Sequence, residues 1–282
     1  KVTGRAKYAE DFRAEGMLFC KLLTSPMPHA RVRSIDTTAA LALEGVFAVL
    51  TADDIPSAQV PPAPQTPILT NEPCYVGEPI LAVAAVDETT AQNAIDLIDI
   101  DLEPLPFTVD PLESLYPGGP NARSDGNVAG RFIETQTVKW TARDFAAVEE
   151  GQLPAGEPIV EWAYGDVEAG FEEAAVVVDE SFVTAGLSHH CMEPRSCMAY
   201  WENGKCFLHG SSQSQTAMIP GLMRLLGLEQ ENLVYIAETC GGGFGSKGGP
   251  YPIMAVPALL SRQTGRPVML RITRAEEYGL GT

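Results

Sequence analysis

The chain has 282 residues, 45% of them hydrophobic and 20% charged, a balance expected of a globular protein of one large or two ordinary domains. A formal net charge of −18 argues against nucleic acid or an anionic membrane surface as a partner. No stretch approaches the ~18 uninterrupted apolar residues of a membrane span, so no spanning helix is expected.

An α/β unit is expected over residues 1–115. Residues 16–23 and 45–50 read as strands, and residues 30–36 alternate apolar and polar side chains like a half-buried strand. Thr37 and Thr38 are candidate caps for a short helix ending at Leu43. Residues 56–67 are dense in proline and predict an extended loop. Residues 79–86 are apolar throughout, which predicts a strand buried on both faces. Thr89 or Thr90 is placed to cap a helix with Ala91, Ala94, Ile95 and Ile98 turned inward, and a strand is expected from Ile98 to Leu102.

Residues 116–121 are a cluster of helix and strand breakers, and little periodicity follows them. A long surface connection is therefore expected over 116–163, with one short helix within 141–150. Beyond it the pattern tightens. A helix is expected over 167–174 and strands over 175–183, 198–201, 204–209 and 233–237. Between the last two strands, residues 217–226 form an amphipathic helix closed by Gly227.

The cysteines are Cys20, Cys74, Cys191, Cys197, Cys206 and Cys240, with no C-x-x-C pair. In a chain of this length they read as reduced, mostly buried thiols. An iron–sulfur cluster needs closely spaced thiolates, so any such cluster is expected on another subunit.

Residues 239–250, Thr-Cys-Gly-Gly-Gly-Phe-Gly-Ser-Lys-Gly-Gly-Pro, stand between the strand ending near Ala237 and a helix expected over 251–262, with Gly265 beyond its end. Such a loop lets backbone N–H groups approach a ligand, and a following helix N-terminus favours an anion. Three readings compete. Residues 243–248 fit G-x-G-x-x-G, but the acidic residue expected ~20 positions on in a dinucleotide site is missing. A Walker loop fails, because Ser246 stands where glycine must precede Lys247. A tight structural turn is the third. The neighbours His189 and His190, with Cys191, Glu193 and His209, invite a zinc reading; on a strand the two rings would face opposite ways, so zinc is not expected there.

Several stretches taken together resemble the molybdenum-binding subunit of the xanthine oxidase / aldehyde oxidoreductase family of molybdenum hydroxylases. They are Lys1-Val-Thr-Gly-Arg-Ala-Lys-Tyr-Ala-Glu-Asp11, Ser25-Pro-Met-Pro-His-Ala-Arg31, Val76-Gly-Glu-Pro79, His190-Cys-Met-Glu-Pro-Arg195, Gly210-Ser-Ser-Gln213, Gly241-Gly-Gly-Phe-Gly-Ser-Lys247 and Thr264-Gly-Arg-Pro-Val268. Their order and intervals carry the resemblance. It implies an α+β protein: an α/β hammerhead domain over 1–115, an extended connecting segment over 116–163, and the first part of a mixed α/β molybdenum cofactor-binding domain over 164–282. Gln213 matches the family glutamine that hydrogen-bonds an oxo ligand on molybdenum; a helix-capping amide is the alternative reading. Gly242, Gly243, Phe244 and Gly245 match the loop beside the pterin and the metal, with Phe244 walling the pocket; alone Phe244 would read as a core aromatic. Glu193 matches a family glutamate, but a structural pairing with Arg195 is the preferred reading. The metal would be held through the pterin, with no direct protein ligand.

The implied activity is hydroxylation of an aldehyde or aromatic N-heterocycle with oxygen from water. The implied cofactor is molybdenum–molybdopterin, with the cytosine dinucleotide as one form, and electrons would pass to [2Fe–2S] and FAD on partner subunits. In purine-oxidising members a glutamate follows the loop lysine; Gly248 stands there, so purine is not the expected substrate. The family's general-base glutamate is expected beyond Thr282, on the C-terminal portion of the subunit or a companion chain, which would leave this chain catalytically incomplete. The expected compartment is the cytoplasm, with the periplasm as the alternative. Two other functions stay open: a nucleotide-binding dehydrogenase domain using residues 243–248, and a non-catalytic scaffold that binds partner subunits.

Overall fold

The computed structural model describes residues 2–56, 66–124, 126–129, 136–154, 161–178, 180, 182, 184 and 186–280. Two compact units are present, one joining residues 1–107 to 188–282 and the other made of residues 108–187. No described helix is long and apolar enough to cross a membrane.

The first unit opens with β1 (Leu18–Thr24), β2 (Ala30–Asp36), α1 (Thr38–Ala42), β3 (Val46–Thr51), β4 (Pro79–Ala85), α2 (Glu88–Asp96) and β5 (Asp99–Pro104). Every residue of β4 is buried, as its unbroken apolar run predicts. α2 is capped by Asp87 rather than by a threonine: its carboxylate accepts the Thr90 N–H at 2.7 Å. A carboxylate suits the positive helix end better than a hydroxyl, and the Thr90 N–H holds the Asp87 carboxyl below its ordinary pKa. α1 starts after Thr37, whose side chain makes no capping bond. Most of the proline-dense stretch, residues 57–65, lies outside the described residues.

The second unit contains α3 (Pro111–Leu115), β6 (Val128–Ala129), β7 (Gln136–Thr137), α4 (Ala142–Ala146) and α5 (Val167–Glu173). It is held by ring packing and a polar knot. Tyr116 stacks on Phe145 at 5.0 Å and meets Trp140 edge-on at 5.6 Å. Lys139 Nζ donates to the carbonyls of Ser114 and Gly119 at 3.1 and 2.7 Å. The strand expected over 175–183 does not form where the chain is described. Residues 176–178 are exposed and unpaired by any described strand, and residues 179, 181 and 183 lie outside the described residues. A β-branched run becomes a strand only where a neighbour takes its ladder bonds.

The first unit resumes with β8 (Cys197–Glu202), β9 (Lys205–His209), α6 (Gln215–Leu226), β10 (Leu233–Ile236), α7 (Ala255–Thr264), β11 (Val268–Leu270) and α8 (Arg274–Leu280). Its seven-stranded sheet runs in the order β10-β9-β8-β11-β1-β4-β3. β1 pairs parallel to β11, with Leu18 opposite Val268 and Cys20 opposite Leu270. The sheet therefore does not divide where the expected hammerhead and cofactor domains divide. β2 and β5 form a separate antiparallel pair. One face of the large sheet packs Val49, Leu81 and Val83 against Ala94, Ile95 and Ala40 of α2 and α1. The other buries Leu208, Ala199 and Leu270 with Met218 and Leu222 of α6 and Val256 and Leu260 of α7. A fully buried Leu or Ile contributes about 1.5–3 kcal/mol, so these layers hold the strand ends firmly.

Candidate functional site

The sheet sets where the site stands. β9 and β10 run parallel, with Ile236 beside His209. Residues 210–213 and 237–248 leave these neighbouring strands from the same end. Gln213 and the glycine loop must therefore meet, and they do. Gln213 Oε1 accepts the N–H of Gly245 at 2.9 Å and of Lys247 at 3.2 Å. The Gln213 N–H donates to the Lys247 carbonyl at 2.9 Å. A Cβ on Gly243 would overlap the Gln213 carboxamide, so only glycine lets the two segments close this far.

These contacts fix the amide's orientation. Two N–H donors demand the oxygen, so the NH₂ end turns away from the loop. Gln213 is exposed, and its NH₂ has no partner among the described residues. The neighbouring N–H groups of Gly242, Gly243 and Phe244 also donate to no acceptor among the described residues. The Gly245 N–H, by contrast, is already used by Gln213 and is not free for a cofactor. Gly242 and Gly245 take φ of +103° and +107°. Phe244 adopts φ +52° and is 73% exposed, its ring edge lying over Gly242. It is not a core aromatic.

The loop is fastened from beneath by buried charges. Lys247 is fully buried, and its Nζ donates to the Glu193 carbonyl at 2.7 Å and the Ser211 Oγ at 3.1 Å. It also pairs with the Glu193 carboxylate at 3.4 Å. That carboxylate accepts the Gly241 N–H at 2.6 Å, the Ser211 hydroxyl at 2.5 Å and the Ala9 N–H at 3.1 Å. The expected Glu193–Arg195 pair is thus replaced by Glu193–Lys247. Arg195 turns to Glu277 of α8 at 2.5 Å, and its other arm donates to the Ser246 carbonyl at 3.0 Å. Its guanidinium lies over the Tyr251 ring, whose hydroxyl is pushed well above its ordinary pKa by burial and so stays neutral. Side chains two apart in the sequence thus clamp the loop at two points. Nothing in local spacing distinguishes that arrangement from a direct ion pair.

His189 and His190 lie in coil, not on a strand, and His190 has φ +48°. The strand argument against a shared metal therefore does not apply. Both rings are engaged or apart: His190 Nδ1 is 3.2 Å from the Tyr278 hydroxyl, and His189 approaches Gly245. α7 begins at Ala255, after a 3₁₀ turn over Pro252–Met254. The glycines of 243–248 consequently do not open a helix directly, as a dinucleotide fingerprint requires.

Residues 3–106 match the aldehyde oxidase and xanthine dehydrogenase a/b hammerhead domain, and residues 152–280 match the molybdopterin cofactor-binding domain. The two domains stand in the family's order. The chain belongs to the xanthine oxidase / aldehyde oxidoreductase family of molybdenum hydroxylases. This family member is 30% identical over 276 residues to the carbon monoxide dehydrogenase large chain of Afipia carboxidovorans, covering 94% of this chain and 32% of that one. It is 30% identical over 294 residues to the large subunit of nicotine 6-hydroxylase from Paenarthrobacter nicotinovorans, covering all of this chain and 33% of that protein. Its fold superposes on quinoline 2-oxidoreductase from Pseudomonas putida 86 with a TM-score of 0.77 at 27% identity, over 98% of this chain and 34% of that one. The chain thus spans about a third of the length of these relatives.

Proposed function

We propose that this chain forms one wall of the molybdenum-cofactor pocket of a hydroxylase acting on an aldehyde or an aromatic N-heterocycle. The observation that carries the reading is the Gln213 carboxamide. Its oxygen is held by Gly245 and Lys247, which leaves its NH₂ facing outward beside three N–H groups at Gly242–Phe244 that have no partner among the described residues. That donor set fits a group rich in anionic and oxo oxygens. When bound, the molybdenum–pterin group supplies a two-electron oxidation of a substrate carbon with oxygen taken from water.

This chain's residues bind and orient. The Gln213 NH₂ donates to an oxo oxygen without adding charge. The N–H groups of Gly242, Gly243 and Phe244 receive cofactor oxygens. The Phe244 ring supplies an apolar wall against which a planar substrate lies. Lys247 and Arg195 stay under the loop and hold it. The general base would come from the part of the enzyme beyond this chain. Electrons would leave to [2Fe–2S] and FAD on partner subunits, and the cytosine dinucleotide is one form the pterin could take. Among the relatives, quinoline 2-oxidoreductase and nicotine 6-hydroxylase carry N-heterocycles in their names, which supports that substrate class beside aldehydes.

The test is to purify the complex that contains this chain, measure its molybdenum and pterin, and assay both substrate classes with an artificial electron acceptor. Molybdenum near one atom per chain, with turnover on either class, is expected. A complex without molybdenum, or one that is loaded and inert on both classes, refutes the reading.

A further inference from the structure

A second group of ligand-type side chains lies in the N-terminal half. His29, Glu72 and Cys74 each offer one ligand atom, and the three atoms lie within 4.8 Å of one another. His29 Nδ1 is 2.7 Å from the Pro106 carbonyl oxygen. A carbonyl only accepts, so Nδ1 carries the ring proton. In the neutral ring Nε2 then presents a lone pair, and it faces Glu72 Oε1 at 3.2 Å. Two acceptors at that distance repel unless a proton, on the ring or on the carboxyl, or a metal ion lies between them. An N–H donated to a backbone carbonyl is also the usual outer support of a metal-binding histidine.

The geometry points to the ion: we propose that His29, Glu72 and Cys74 bind a divalent transition-metal ion, zinc first, with water as the fourth ligand. Tetrahedral zinc with bonds of about 2.0–2.1 Å sets its N and O ligands about 3.3 Å apart, close to the 3.2 Å seen between Nε2 and Oε1. Glu72 can ligate through Oε1 while Oε2 keeps its contact with Arg31 at 3.4 Å. The Cys74 thiol, 3.5 Å from the Glu72 carbonyl, would ligate as the thiolate, releasing its proton to solvent. The backbone is already fastened for this. The Cys74 N–H donates to the buried Glu78 carboxylate at 2.6 Å, the Glu72 N–H to Thr70 Oγ1 at 3.0 Å, and the Ala30 N–H to the Pro73 carbonyl at 3.0 Å. His29 is buried while Glu72 and Cys74 are partly exposed, which leaves a path for the ion and its water.

The purified protein, stripped with chelator, is titrated with zinc against a chromophoric competitor and separately with cobalt(II). One ion per chain is expected, with a thiolate-to-cobalt charge-transfer band. Cys74→Ser should abolish the band and weaken zinc binding by about 100-fold or more, beyond the 10- to 100-fold typical of losing an outer-shell partner. Glu72→Gln, on a partly exposed side chain, should weaken zinc binding without disturbing the fold seen by circular dichroism. Cys240→Ser, at the other partly exposed thiol, should change neither readout. No uptake at micromolar zinc would leave the contact a proton-bridged pair of side chains and overturn the proposal. A band that survives in Cys74→Ser would overturn it equally.

Discussion

Replacing Gln213 by glutamate separates the two things its carboxamide does. Oε1 holds the loop by accepting from Gly245 at 2.9 Å and Lys247 at 3.2 Å, and a carboxylate can continue to do so. The outward NH₂ donor disappears. A hydrogen bond to a charged or strongly polar partner contributes about 1.5–3 kcal/mol. If that bond tightens in the transition state, its loss lowers turnover roughly 10- to 150-fold. Gln213→Ala removes both halves. Beyond the same loss in turnover, it frees two loop N–H groups, each bond contributing about 0.5–1.5 kcal/mol. The assay is kcat in the complete enzyme, with molybdenum content measured alongside because the glutamate would add a charge at the proposed cofactor site. Amide exchange at Gly245 and Lys247 is followed in parallel. Gln213→Glu should turn over slowly with a protected loop, and Gln213→Ala slowly with an unprotected one. Wild-type kcat in loaded Gln213→Glu would refute the donor role. Unchanged exchange in Gln213→Ala would refute the clamp.

Lys247→Met leaves the Glu193 carboxylate buried without its cation and should cost about 3–5 kcal/mol of unfolding free energy; adding Glu193→Gln should restore part of it, and a denaturant midpoint unmoved by Lys247→Met would contradict the buried pair. Gly243→Ala drives a methyl into the Gln213 carboxamide and should lower turnover like Gln213→Ala; wild-type kcat would show that the two segments do not touch. His209 is buried with Nδ1 unpartnered among the described residues, and burial holds its pKa below the ordinary 6.5. The folded state therefore binds this proton more weakly than the unfolded one, and stability present above pH ~6.5 should fall on acidification. His209→Gln should flatten that acid limb of the stability profile, and an unchanged slope would refute the assignment. Limited proteolysis should cut first within 108–187, yet fragments 1–107 and 188–282 should co-elute, because β1 and β11 pair across the cut; separation without denaturant would refute the shared sheet.

Much of the fold was legible because its signals are local. The run at β4, the αL glycines closing α6 and α7, and the alternation in β2 each sit within one element. The glycine loop and Gln213 each stand out by motif, while their meeting rests on β9 and β10 lying side by side in the sheet. What stayed hidden depends on partners far away in sequence. β1 and β11 are joined by no local pattern, so the sheet shared by both halves could not be seen. Residues 175–183 had strand composition, but among the described residues no neighbouring strand supplied the ladder bonds. Glu193 and Arg195 are two residues apart and oppositely charged, which reads as a pair. The fold instead gives each its own partner, Lys247 and Glu277, more than fifty residues away.

That exchange of partners explains how a loop of glycines can hold a shape. Ordering the backbone of one residue costs roughly 1–2 kcal/mol, and glycine stands at the upper end. Gly241, Gly242, Gly243 and Gly245 together therefore oppose order by about 4–8 kcal/mol. Three bonds between charged groups and the backbone oppose that cost: Glu193 on the Gly241 N–H, Lys247 on the Glu193 carbonyl and Arg195 on the Ser246 carbonyl. At about 1.5–3 kcal/mol each they are of the same size. A surface ion pair could not do this, because solvent would screen it. Burial of Lys247 and Arg195 is what gives the clamps their strength. The glycines keep side chains away from the ligand face, and the charges beneath supply the rigidity that glycines lack. The N–H groups of Gly242–Phe244 are thereby set in place beforehand, and under the proposed function an anionic cofactor would meet them without a further ordering cost.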